Sequence, residues 1–342
     1  MQTNDSMRNE LRNSNNHFQE IGAIHNEKFQ TVNQICVIYA IGIAFLEQLG
    51  YIYKILLHKY FPDFIKTYQY DAVLLGTLII NQLLGVFLFF IITSFIKKIE
   101  LAKKSYGFKK YFANISINTS LMFIGSCIGL LIEYLIYYKF SYNKVKPSFN
   151  GELYSNIFLN FFVTCIGAPI SEEFIFRKFL IDRLSVYSKS LACFASGIIF
   201  GIAHSNFGQF FGTMFVGWAL AYAYIETGNI LISISYHMII NTISTILIKL
   251  NIASMNLKTI SGKIILGLVA IRLINIIIGI IILFKYRKKI KISGEDNRAK
   301  DKWKLFKSYG MLIFFIEGIM IFSTHYITTT SNVSKIKLIL FK

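Results

Sequence analysis

The chain has 342 residues, of which 54% are hydrophobic and only 16% charged, with 36 Lys and Arg against 18 Asp and Glu and a formal net charge of +18. A mean hydropathy of +0.51 excludes an ordinary soluble domain of this size and indicates a polytopic membrane protein. The positive charge lies between apolar runs without a nucleic-acid motif, so it reads as topogenic charge facing anionic lipid and not as a nucleic-acid surface.

Residues 1–32 are polar and read as an N-terminal tail. Apolar spans are predicted at 33–57, 72–96 and 114–138, within an N-terminal membrane segment reaching residue 152. Residues 97–110 carry six lysines against one glutamate, the signature of a cytoplasmic loop. The central block, 153–250, holds four closely connected helices at 153–184, 188–206, 208–227 and 229–250. In it, Gly197 with Gly201 and Gly208 with Gly212 repeat a small-xxx-small spacing that lets membrane helices approach closely. The C-terminal segment, 251–342, carries spans at 262–284 and 309–328. Between them, residues 285–307 contain ten Lys or Arg against three acids. Alternation of nine spans places both basic loops on one side, with the N-terminus cytoplasmic. The expected fold is therefore an all-α polytopic membrane protein of about eight or nine transmembrane helices around a central four-helix core.

The cysteines Cys36, Cys127, Cys165 and Cys193 lie in or beside apolar segments without ligand-like spacing, and read as small buried hydrophobes. The N-terminal stretch lacks the charged-then-apolar pattern of a signal peptide. Glu47, Glu133, Glu226, Arg272, Glu317 and His325 are isolated in sequence and read as packing or interface groups, and Trp218 as core packing.

One stretch departs from this pattern. Glu172, Glu173 and Arg177 follow Pro169 inside an apolar helix. Ionisable groups are costly in a bilayer and mark functional sites by default. Glu173 and Arg177 are i,i+4 neighbours able to pair, and Glu172 points about 100° away. Pro169 removes a donor and frees a carbonyl one turn earlier. Two histidines and an asparagine complete the set. At 1.5 Å per residue, Glu172 and Asn241 lie about 18 Å, His204 about 24 Å and His237 about 12 Å from their helix ends, so all reach the middle of the bilayer. Helix packing alone does not demand so much polarity there. Glu172, buried and without an ion-pair partner, suits proton transfer, and with His204 it can deprotonate a water for attack on a peptide carbonyl. His237 and Asn241 can donate to the developing oxyanion. The same atoms allow a zinc site on Glu172, His204 and His237, and the residues alone leave both chemistries open.

Glu172-Glu173-x-x-x-Arg177, Phe200-x-x-x-His204 and His237-x-x-x-Asn241, in that order, resemble the CAAX protease and bacteriocin-processing family of intramembrane endopeptidases. Ala168-Pro169 and Phe176 fit the same run; Lys178 stands where the family often has glycine. The resemblance covers about 153–250. It implies a helical core with a conical cavity. It also implies a water activated by Glu172 and His204, an oxyanion hole from His237 and Asn241, an orienting pair in Glu173 and Arg177, and no metal. The implied substrate is a membrane-associated peptide or lipidated protein, of CAAX type or in bacteriocin or pheromone processing. A composition typical of an AT-rich genome points to a bacterial cytoplasmic membrane. Two non-enzymatic alternatives keep the fold: a bacteriocin self-immunity or scaffold protein, and a transporter.

Overall fold

The computed structural model describes residues 2–140, 155–204, 207–249, 259–287 and, between 309 and 319, all but 314 and 317. The described residues are helical throughout their regular structure. They form α1 (Gln2–Tyr60), α2 (Pro62–Ser94), α3 (Phe108–Phe140), α4 (Ile157–Leu184), α5 (Lys189–Ile202), α6 (Phe207–Thr227), α7 (Ile230–Lys249) and α8 (Ile260–Tyr286). Among them, six helices are long and apolar enough to cross a membrane: Gln30–Tyr60 of α1, α2, Phe108–Leu135 of α3, α4, α7 and Gly262–Tyr286 of α8. The protein is an all-α polytopic membrane protein, as its composition requires.

The two remaining helices explain why the sequence reading counts more spans. With 14 residues, α5 is about 21 Å long, short of the 30 Å hydrocarbon core. It ends two residues before His204, whose backbone N–H donates to Gly201 O at 3.3 Å. In α6, 21 residues include Gln209, Thr213, Glu226 and three tyrosine or tryptophan residues that lower its hydropathy. The predicted span at 309–328 lies largely outside the described residues, as do Glu317, His325 and most of the basic loop 285–307. The polar stretch read as a separate tail is continuous with the first span, because α1 runs unbroken from Gln2.

Packing follows residue spacing. On α1 the buried positions Val32, Ile35, Cys36, Tyr39, Ile43 and Leu46 recur every three or four residues and form one apolar stripe. It joins a core with Phe176, Leu180, Ile181 and Leu184 of α4, Ile198, Ile199 and Phe200 of α5, and Ala221 and Tyr224 of α6. Glycines set the closest crossings. A Cβ on Gly197 would lie 1.9 Å from the Trp218 ring, which stacks on Phe194 at 5.1 Å, so Gly197 and Trp218 are packing elements of the α5–α6 crossing. Gly125 of α3 meets the backbone of Phe211, and Gly212 of α6 meets Ser126. Against α3, α8 is held by Ser120 Oγ donating to Ile276 O at 2.7 Å and Asn275 Nδ2 donating to Ser116 Oγ at 3.2 Å.

The lysine-rich connection between α2 and α3 is strapped across the end of the central helices. Ile99 N donates to Asp182 O and Lys104 N to Thr227 O, both at 2.9 Å. Gly228, with φ of 61°, lies where a Cβ would strike Ala102 O. The basic loop thus shares a face with the 185–188 turn, in agreement with the alternation of spans.

A Cβ on Gly125 would sit 2.4 Å from a backbone oxygen that cannot rotate away, whereas nothing lies within 4 Å of one on Gly267. Gly125→Val is expected to destabilise the protein by about 1–3 kcal/mol and Gly267→Val by less than about 0.5 kcal/mol. Thermal unfolding of the two variants in the same detergent checks the order.

Candidate active site

The site is built on α4, whose backbone is not a uniform α-helix. Residues Phe161–Gly167 and Phe174–Phe179 adopt π geometry on either side of an α-helical turn, Ala168–Glu173. Proline accounts for the first wide turn. Without an N–H, Pro169 leaves Thr164 O, five residues back, unfilled in the π register. Asn241 Nδ2 of α7 donates to that oxygen at 2.8 Å. In the second wide turn, Ser196 Oγ of α5 donates to Phe176 O at 2.8 Å. Buried backbone oxygens need such donors where no water reaches them.

Between the two turns the carboxylates separate as their helical phase requires. Glu173 and Arg177 are both completely buried and pair at 3.1 Å between Oε2 and Nε. Glu173 Oε1 accepts from His237 Nδ1 at 2.9 Å, and its Oε2 accepts from Ser233 Oγ. Arg177 places its guanidinium carbon 4.5 Å from the centre of the Phe200 ring and donates from Nη2 to Gly217 O at 3.5 Å. A cation over an aromatic face in a desolvated core gains about 2 kcal/mol. Glu172 is set differently: 26% of its side chain is exposed, and Oε2 is buried without a hydrogen-bond partner. That oxygen lies 3.7 Å from His237 Nε2. The arrangement is a relay, Arg177–Glu173–His237–Glu172, that ends in an unsatisfied carboxylate oxygen beside an imidazole. Because Nδ1 of His237 is spent on Glu173, Nε2 is the nitrogen turned toward Glu172.

His204 and Asn241 are placed differently from the sequence expectation. His204 Nδ1 bonds Phe200 O of its own helix at 2.8 Å, and its ring stands edge-on to Phe200 with centroids 4.7 Å apart. Phe200 in turn meets His237 at 5.7 Å, so the same aromatic ring contacts both imidazoles. The imidazole set against Glu172 is thus His237. One Nδ2 hydrogen of Asn241 is committed to Thr164. Among the described residues no three His, Cys, Asp or Glu side chains gather closely enough to hold a metal ion.

Two features escape the sequence reading. Ser233 is completely buried, and the sequence carries a signal for it: Ser233, His237 and Asn241 stand at i, i+4 and i+8, one polar stripe on α7. Lys178 pairs with buried Asp182 at 2.8 Å and donates to Tyr224 Oη at 3.3 Å, while Tyr224 donates to Asp182 Oδ1 at 2.7 Å. The departure from glycine at 178 is thereby accommodated by a second polar cluster nearer the basic loop.

Comparison with known proteins converges on this segment. The family model of Rce1-like proteins, described as Type II CAAX prenyl endopeptidase Rce1-like, matches residues 154–243, so the resemblance carried by the three motifs holds for the central helices. Over 88 residues the chain is 35% identical to "Putative membrane peptidase YdiL" of Bacillus subtilis (strain 168), a stretch covering 25% of this chain and 35% of that relative. The chain thus matches about a third of that relative's length. No solved structure matches.

Removing one side of a buried ion pair leaves an uncompensated charge, so Arg177→Ala is expected to destabilise the protein by about 3–5 kcal/mol. Ser233→Ala removes one hydrogen bond to a carboxylate and should cost about 1.5–3 kcal/mol. Chemical denaturation in mixed micelles measures both; equal stability of the two variants would contradict the relay.

Proposed function

We propose that the protein is an intramembrane endopeptidase that hydrolyses a peptide bond in a membrane-associated peptide or lipidated protein. The observation that carries this reading is the unpartnered Oε2 of Glu172 facing Nε2 of His237 at 3.7 Å. A water seated beside both atoms is within hydrogen-bond reach of each. Glu172 takes a proton from that water as its oxygen attacks the carbonyl carbon, and the C=O electron pair moves onto the carbonyl oxygen. When the tetrahedral intermediate collapses, the C–N bond breaks and the proton held by Glu172 passes to the leaving amine. His237, fixed by Glu173, stays beside the water, a placement the geometry favours over the oxyanion role implied by motif order.

His204 and Asn241 each keep one unspent function: Nε2 of His204, and the second Nδ2 hydrogen of Asn241. The family resemblance implies water activation for the first and oxyanion stabilisation for the second. Glu173 and Arg177 act through His237 and touch no substrate. The match to a membrane-protease family over the central helices supports the same reaction class, and the Bacillus relative supports a bacterial membrane. In this reading catalysis depends on glutamate and needs no metal.

The test is cleavage of candidate membrane peptides by the purified protein, followed by mass spectrometry. Glu172→Gln is expected to lower kcat by about 10²–10⁴-fold while the protein stays folded, the usual contribution of a general base. A zinc-directed chelator should leave the wild-type rate unchanged. Normal processing by Glu172→Gln refutes the peptidase mechanism, and loss of activity with the chelator restored by zinc refutes its metal independence. Substrate-dependent flux surviving in Glu172→Gln and in His204→Ala would instead identify a transporter.

A further inference from the structure

Two side chains reach α4 from helices that lie outside the matched segment 154–243. Gln82, on the π-helical stretch Thr77–Leu84 of α2, is 5% exposed and donates from Nε2 to Val163 O at 2.8 Å. Tyr39 of α1 is completely buried and donates from its hydroxyl to Ile175 O at 2.7 Å. Val163 O also accepts the backbone N–H of Ala168, five residues on, so Gln82 grips the carbonyl that closes the first wide turn. The opposite end of the same amide, Oε1, is buried with no partner and lies 2.1 Å from where a Cβ on residue 167 would stand. Gly167 is therefore the residue that lets the amide in. Ile175 belongs to the second wide turn.

These two carbonyls bracket Glu172 and Glu173. An extra residue in one turn rotates everything beyond it by about 100°, so the wide turns set the direction in which both carboxylates point. An apolar side chain at 39 or 82 would fill the same space and leave the backbone oxygens without their outside donors, which favours a return to the regular α register. We propose that Gln82 and Tyr39 are positioning residues for hydrolysis. By holding Val163 O and Ile175 O they fix the rotational phase of Glu172 against His237, and the two N-terminal membrane helices are part of the catalytic unit. This inference rests on the peptidase reading for its kinetic arm and is independent of it in its structural arm.

The experiment uses the full chain in lipid nanodiscs with Tyr39→Phe, which deletes one oxygen, Gln82→Met, which keeps length and volume, and the double variant. On a peptide that the wild type cleaves, each single variant should lower kcat about tenfold and the double variant about a hundredfold, the order expected for a misplaced catalytic group. KM should stay within about twofold, because substrate contacts are untouched. The structural arm places cysteines by Glu172→Cys and His237→Cys in a chain whose native cysteines are alanine, and measures their oxidative cross-linking. Cross-linking should slow at least about threefold when Tyr39→Phe and Gln82→Met are added, since the two positions rotate apart. Unchanged cross-linking, unchanged kcat in all three variants, or losses of kcat that only track a lower melting temperature would overturn the proposal. If the wild type cleaves nothing, the peptidase reading fails by itself, and the cross-linking rate alone decides the positioning role.

Discussion

A carboxylate sealed inside a lipid-embedded helix bundle constrains everything around it. Glu173 has no solvent contact, and an isolated charge there would cost many kcal/mol. It persists because Arg177, Ser233 and His237 converge on its two oxygens. Those partners come from α4 and α7, and Arg177 is itself seated on Phe200 of α5 and Gly217 of α6. Satisfying one charge therefore fixes the mutual register of four helices. The cost of moving any of them is the exposure of a bare ion to hydrocarbon.

The same constraint divides labour between adjacent glutamates. Glu173 is saturated with donors and can only orient; Glu172, one residue earlier and about 100° away, keeps an oxygen without a partner. The wide turns of α4 flank this pair on both sides. They release backbone oxygens that neighbouring side chains must collect, and Asn241 of α7 and Ser196 of α5 do so. Irregular backbone at membrane depth is tolerated only where protein groups satisfy it. In this protein the irregularity lies on either side of Glu172 and Glu173, and π turns are frequently found at functional sites.

Much of this was legible in the residues themselves. Hydropathy gave the membrane class and nine spans, of which, among the described residues, six are helices long and apolar enough to cross a membrane, and i,i+4 spacing gave the Glu173–Arg177 pair and the His237–Asn241 face of α7. Depth counting put Glu172, His204, His237 and Asn241 at comparable depth on three helices, because rise per residue is nearly constant in helices. Phase was harder to read. A residue's direction is computed from 3.6 residues per turn, and two π turns break that period within α4, so the residues pointed to His204 as the partner of Glu172 where the structure sets His237 Nε2 against it. Likewise the segment 188–206 was read as a full span, while α5 ends at Ile202 with His204 folded back on Phe200 O. Long-range donors such as Ser196 carry no local signal at all, since a serine in an apolar helix is unremarkable until its acceptor is known.

The central claim is that Glu173 aims His237 at a water shared with Glu172. An experimental structure in a lipid nanodisc, at a resolution that shows ordered solvent, tests it most directly. The account predicts His237 Nδ1 on Glu173 and a water within hydrogen-bond distance of both His237 Nε2 and the free oxygen of Glu172. A His237 ring turned away from Glu173, or an apolar side chain filling the space beside Glu172, would contradict it.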